Sequence, residues 1–316
     1  MTDKTKLLVL VALTLLGATL ILGIGLTPDN YQYFLSRRTP KVIAVVLSGT
    51  AIALSSLAFQ TITHNRILTP GIMGFDALYM LIQVLIVYML GGFSEFLLNP
   101  YLNFIVCVVL MVSFSFLLFQ FYFHSGKRNL MILLLLGVVL GQLFSNIASM
   151  FSLMLDPNEF TMVQSSMFAS FNNVKTELIY ISAPIIALSA FWLFKLNNVL
   201  NVMWLDNDNA ISLGVDVRNV TKKVLLLSTL LIAVSTALVG PILFFGLLVT
   251  NLTREWLTGY QHKTLFLGCI LISLVTLLGG QLIIEHVLEF ETTLSVVINF
   301  FGGLYFLRIL LKNKIM

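Results

Sequence analysis

Residues Trp204–Arg218 read WLDNDNAISLGVDVR, three aspartates and several polar neighbours set between two long apolar runs. Asp206 or Asp208 can cap a short helix over Ala210, Ile211, Ser212 and Leu213, and Gly214 can end it in a left-handed conformation. Asp216 can cap a second short helix running into Arg218, Lys222 and Lys223. A solvated loop has no need of Ala210, Ile211, Leu213 and Val215 among its charges, so the stretch is expected to be an elbow of two short helices that binds a partner.

The chain around the elbow is membrane material. Its 316 residues are 58% hydrophobic and 10% charged, and the mean hydropathy of +0.98 exceeds what a water-soluble domain carries without large apolar patches. A spanning helix takes roughly 20 apolar residues. Runs of that kind fall near 7–26, 41–61, 71–91, 101–122, 130–154, 178–196, 222–239, 242–255, 264–284 and 293–311. Continuous apolar runs predict helices, because barrel strands alternate over about ten residues. The fold class is therefore an all-α polytopic membrane protein of about ten transmembrane helices, one transmembrane domain over 1–316 with no separate catalytic domain. The run from Leu7 is long and lacks a small-residue cleavage site, so it reads as the first span.

With the N-terminus inside, fourteen of the eighteen Lys and Arg residues fall in inner loops and only Arg37, Arg38, Lys41 and Lys175 fall outside. The bias predicts both termini, and the elbow, on the cytoplasmic side. The longest outer connection, Asp156 to Glu177, has room for a short surface helix.

Several chemistries are missing. There is no Gly-x-x-x-x-Gly-Lys-Ser/Thr cradle for phosphates, since Gly126-Lys127 lacks the earlier glycine. The four histidines, His64, His124, His262 and His286, are dispersed and form no zinc motif. Cys107 and Cys269 each sit in an apolar run and read as packing residues. Asp76 is the only carboxylate near a span interior, whereas ion-driven transporters and intramembrane enzymes need several ionisable groups there. If the chain transports anything, its energy is expected from elsewhere; no cofactor, no metal site and no nucleic-acid partner are expected.

Three other features are suggestive. Gly137, Gly141, Ser145, Ser149 and Ser152 recur at steps of four or three in the fifth span. Such a stripe serves close helix packing or, with Gln142 and Asn146 beside it, borders a path for a polar passenger. Pro70–Asp76 and Gly240-Pro241 interrupt apolar runs, as irregular backbone beside a cavity does. The outer sequence Ser36-Arg37-Arg38-Thr39-Pro40-Lys41 opposes the positive-inside bias, so it serves either lipid headgroups or acidic residues of an external partner.

Asp208 to Val215 resembles the A-x-x-L-G coupling segment of the iron-chelate and vitamin B12 class of ABC importer permeases. Further blocks agree in order. Arg38-Thr-Pro40-Lys41, Leu47-Ser-Gly49-Thr-Ala51, Gln60, Asn65 and Pro70-Gly-Ile-Met-Gly74 are similar to that family's first conserved region. Gly240-Pro-Ile242-Leu-Phe244-Phe-Gly246-Leu-Leu-Val249 with Arg254, and Gly302-Gly-Leu-Tyr-Phe306-Leu, resemble two later ones. The chain departs from the family at Thr250-Asn251, around Gly280-Gln281 and Glu285-His286, and at Thr292–Ser295.

The resemblance implies a type II ABC importer permease fold like that of the vitamin B12 permease. It also implies import of a ferric siderophore, possible catecholate chemistry included, with heme or vitamin B12 import and a stand-alone secondary transporter as alternatives. The partners it implies are two cytoplasmic ATPase subunits, a second identical or sister permease, a periplasmic or lipid-anchored substrate-binding protein, and membrane lipid. Asp206, Asp208, Ala210, Leu213, Gly214 and Arg218 would couple to the ATPase. Arg37, Arg38 and Lys41 would receive the binding protein. Gly137, Gly141, Gln142, Ser145, Asn146, Ser149 and Ser152 would border the path.

Overall fold

A computed structural model describes residues 2–92, 94–124 and 130–313. The connection with Gly126, Lys127 and Arg128, and the terminal Lys314, lie outside the described residues. In chain order the helices are α1 (Asp3–Gly23), α2 (Tyr31–Thr63), α3 (Phe75–Leu90), α4 (Glu95–Leu98), α5 (Pro100–His124), α6 (Leu130–Ser152) and α7 (Pro157–Ser166). There follow α8 (Thr176–Lys195), α9 (Asn197–Met203), α10 (Asn207–Ser212), α11 (Val217–Val239), α12 (Phe245–Trp256), α13 (His262–His286) and α14 (Leu294–Asn313). A 3₁₀ turn, Pro70–Met73, precedes α3. No strand occurs among the described residues.

Each of the ten expected apolar segments contains a helix, and among the described residues seven helices are long and apolar enough to cross a membrane. The remaining three segments differ for identifiable reasons. Residues 71–91 divide into the 3₁₀ turn and the 16-residue α3. Pro70 starts the turn at a position that needs no N–H, and Gly74 leaves it at φ +87°, where only glycine is comfortable. The segment expected at 242–255 yields only the 12-residue α12, about 18 Å long, because Gly240–Phe244 is spent on a non-helical break. In α14 the apolar part is Leu294–Arg308.

The second expected span starts ten residues too late: α2 begins at Tyr31 and carries Arg37, Arg38 and Lys41 within its 33 residues, with Pro40 inside the helix. The helix survives because proline deletes one donor and neighbouring groups absorb the loss. The outer connection does carry its short surface helix, α7.

Helices α2 and α11 form the centre. Over their most apolar windows they are 72% and 67% buried, against 17% for α1. They pack along each other, with α13, α12 and α8 against α2 and with α5 and α8 against α11. Small side chains permit the approach: Ser48, Gly49, Ala51, Ala53, Ser55 and Ala58 are buried on α2. The Ser228 hydroxyl donates to the Ser55 carbonyl at 3.3 Å across the seam. On α1, α5 and α6 many large apolar side chains, Leu8, Leu15, Leu117, Leu135 and Val139 among them, stay exposed. An outer surface of that kind suits lipid or another subunit rather than water.

Candidate coupling and transport site

The elbow forms where α9, α10 and α11 meet. Asp206 sits at φ +122°, an unusual conformation for a side-chain-bearing residue, and its carboxylate accepts from the Asn207 N–H at 2.7 Å. Ala210 is fully buried. The Gly214 N–H donates to the Ile211 carbonyl at 2.9 Å and the Val215 N–H to the Ala210 carbonyl at 3.0 Å. With Gly214 at φ +82°, this is a Schellman ending, and it requires the glycine. Asp216 caps the next helix by accepting from the Asn219 N–H at 3.1 Å. That helix is not a second short one, as expected, but the whole 23-residue α11; the short helices of the elbow are α9 and α10.

The outcome is an apolar face held out to solvent. Leu205, Ile211 and Leu213 are 59%, 53% and 64% exposed, beside the fully sequestered Ala210. Asp208 is exposed on α10, and Arg218 lies in the first turn of α11, engaged with neighbouring groups.

Beneath the elbow lies a set of contacts that motif reasoning overlooked. His262, fully buried at the start of α13, joins three elements. Its Nε2 meets the Thr61 hydroxyl of α2 at 2.8 Å, and its Nδ1 and backbone N–H meet the Asn201 Oδ1 of α9 at 2.8 and 2.7 Å. The ring centroid of Trp204, the residue closing α9, lies 4.1 Å from the Arg254 guanidinium carbon and 5.7 Å from that of Arg66. The side-chain amides of Gln60 and Asn251 both donate to the Arg66 carbonyl, at 2.7 and 3.0 Å. Trp204 and Arg254 were the available signal: an aromatic beside the charged stretch and a cation at the end of an apolar run.

At the far end of α2 the expected docking cations behave differently from one another. Arg38 donates to the Ile24 carbonyl at 2.5 Å and the Leu22 carbonyl at 3.4 Å, closing the end of α1. Lys41, expected on a docking surface, instead pairs with Glu285 of α13, and both side chains are largely buried. Gln281 donates to Glu285 at 2.7 Å and to Asn172 at 2.8 Å. Arg37 is exposed, with its guanidinium 5.4 Å from the Tyr33 ring.

The α6 stripe divides between two faces. A step of four residues overruns a helical turn by about 40°, so three such steps rotate Ser149 far from Gly137. Gly137 and Gly141 are pressed on the 3₁₀ turn: a Cβ on Gly141 would lie 2.7 Å from the Gly74 Cα, and one on Gly137 3.1 Å from the Met73 Cα. Ser152 is buried as well. Gln142, Asn146 and Ser149 are exposed, Ser145 is half-buried, and the Gln142 amide donates to Asn146 at 3.1 Å.

Among the described residues, seven membrane-length helices, two of them the central buried pair, with an apolar elbow at one end, define a polytopic membrane protein of the type II ABC importer permease fold. The chain belongs to the FecCD transport family, whose profile matches residues 5–312. It is similar to a solved chain described as an inward-facing metal-chelate type ABC transporter, with TM-score 0.85 and 24% identity, covering 98% of this chain and all of that one. Among curated relatives, it is 47% identical over 311 residues, 98% of each chain, to the petrobactin import system permease protein YclO of Bacillus subtilis (strain 168). The same strain has a second petrobactin import permease, YclN, to which identity is 22% over 92% of this chain and 89% of that one.

Proposed function

We propose that this chain is the permease subunit of a bacterial plasma-membrane ABC importer that takes up a ferric siderophore of the petrobactin type. The observation that carries the reading is the 47% identity to YclO along essentially the full length of both chains. A chain this close to one of two petrobactin permeases and much farther from the other supports pairing with a sister permease rather than with itself.

The chain itself holds no phosphate cradle, so ATP is hydrolysed by partner subunits. Ile211 and Leu213, exposed on a rigidly capped elbow, provide the apolar contact through which ATPase closure reaches α11. The lysine and arginine bias sets the elbow and both termini in the cytoplasm. At the other end, the exposed Arg37 meets acidic residues of a substrate-binding protein, while the neighbouring Arg38 is held by the carbonyls that end α1. Gln142, Asn146 and Ser149 face the path, offering weak hydrogen bonds that let a bulky polar chelate slide without being retained.

Growth on defined iron sources tests the substrate. Deletion of the gene should abolish growth on ferric petrobactin as sole iron supply and spare growth on hemin, with recovery when the chain is restored. Undiminished growth on ferric petrobactin, in a strain without another importer for it, overturns the reading.

A further inference from the structure

The two breaks in the helical framework meet at one place. Pro70–Met73 leads into α3, Gly240–Phe244 leads into α12, and between them lies a cavity of about 10 Å³, room for one water-sized guest. Its polar lining comes from four directions. Ser56 arrives from α2, Thr69 and Gly71 from the turn, Asp76 from α3 and Thr236 from α11.

Asp76 is 4% exposed, and its one side-chain hydrogen bond among the described residues is a 3.3 Å contact from the Thr236 hydroxyl to Oδ1. The Ser56 and Thr69 hydroxyls are buried and have no partner among the described residues. The Leu243 carbonyl, freed by the break, faces the same gap. A Cβ on Gly71 would stand 3.1 Å from Asp76 Oδ2 and 3.7 Å from that carbonyl oxygen.

A buried carboxylate without compensation costs several kcal/mol, and none of the residues lining the cavity is cationic. A proton would neutralise Asp76 but would not itself serve the Ser56 and Thr69 hydroxyls or the Leu243 carbonyl. Asp76 also stands in the first turn of α3, where the helix dipole favours the ionised form. A cation answers the charge and the orphan oxygens together. One carboxylate among neutral oxygens balances a single positive charge, and calcium or magnesium would ask for more anionic ligands. All the available donors are hard oxygens, as in the discontinuous helices of transporters that bind alkali ions.

We infer that the cavity between the two helix breaks binds one sodium-sized monovalent cation, held by Asp76 with the hydroxyls of Thr69, Ser56 and Thr236 and the Leu243 carbonyl. Such an ion fastens α3 to the joint between α11 and α12, where the helical framework is interrupted. This inference does not depend on which chelate is carried.

The test is ²²Na⁺ binding by the full-length chain, purified with its partner subunits in lipid nanodiscs and first exchanged into N-methylglucamine. Saturable binding of about one ion per copy of this chain is expected, together with a sodium-dependent rise in the thermal midpoint. Asp76→Asn should remove both effects. Gly71→Ala, which retains the charge and places a methyl group in the gap, should weaken binding at least tenfold. Asp156→Asn, at an exposed carboxylate, should bind as wild type does. No saturable sodium binding by the wild-type complex overturns the inference. So does binding unaffected by both cavity substitutions, or a midpoint that tracks pH and ignores sodium, which would assign the site to a proton.

Discussion

The two ends of α2 treat charge in opposite ways. About 35 Å of helix separates Lys41, paired inward with Glu285, from His64, whose ring reaches Asn207 of the elbow at 3.4 Å. At the Lys41 end, Arg38 and Lys41, which look exposed in the sequence, are turned onto the protein's own carbonyls and onto Glu285, while Arg37 stays outside. At the elbow, aspartates are used as caps and the leucine and isoleucine side chains are left outside. The first end is nearly complete within one chain. The second is folded but unfinished, with its backbone groups satisfied and its apolar face uncovered. An exposed surface with a rigid backbone is what a partner can push against, which supports the role proposed for the elbow as the ATPase seat.

The strongest way to break that comparison is Leu213→Asp. The residue closes α10 and is 64% exposed, so the substitution disturbs little inside the chain but places a charge in the contact proposed for the ATPase. Co-purification of the ATPase should fall by more than tenfold while the thermal midpoint of the permease alone moves little. Equal recovery with wild type and variant would show that the elbow is not the ATPase seat.

Next in size is Lys41→Met, which leaves Glu285 and its neighbour Gln281 without their cation in a mostly buried place. Removing one member of a buried pair costs about 3 kcal/mol, whereas replacing both by apolar residues is close to neutral. Lys41→Met should therefore lower the thermal midpoint by several degrees, and Lys41→Met with Glu285→Leu should recover most of it. A single variant as stable as wild type would mean that Lys41 is available for docking after all.

Much of the helical framework was legible, because long apolar runs leave few alternatives when backbone groups must be satisfied inside a bilayer. The elbow was legible for a related reason: capping is local chemistry, and Asp206, Gly214 and Asp216 announce it within a dozen residues. What lay hidden was long-range. Nothing near Lys41 points to Glu285, 244 residues away, and nothing near His262 points to Thr61 or Asn201. The α6 stripe misled because a ladder of equal steps looks like one face on paper and winds around a real helix. The start of α2 was hidden because the apolar run begins only after Arg37, Arg38, Pro40 and Lys41, while the helix itself reaches back to Tyr31.

The smallest expected effect on stability is also the sharpest probe of what remains open at the Lys41 end. Arg37 and Arg38 are adjacent, yet Arg38 closes the carbonyl end of α1 and Arg37 lies exposed over Tyr33. Arg37→Glu should leave the thermal midpoint almost unchanged, since an exposed cation–aromatic contact contributes about 0.5–1 kcal/mol. Its effect should appear in the association rate of the binding protein. A slower rate, with a weaker dependence on salt than wild type shows, is the signature of a lost steering charge. Arg38→Glu should do the reverse, lowering stability first by facing a carboxylate onto the Leu22 and Ile24 carbonyls. If both substitutions slowed association equally and neither changed stability, the inward bonding of Arg38 would not hold in the membrane. The division of labour along α2, structural cations beside one docking cation, would then have to give way to a continuous basic rim.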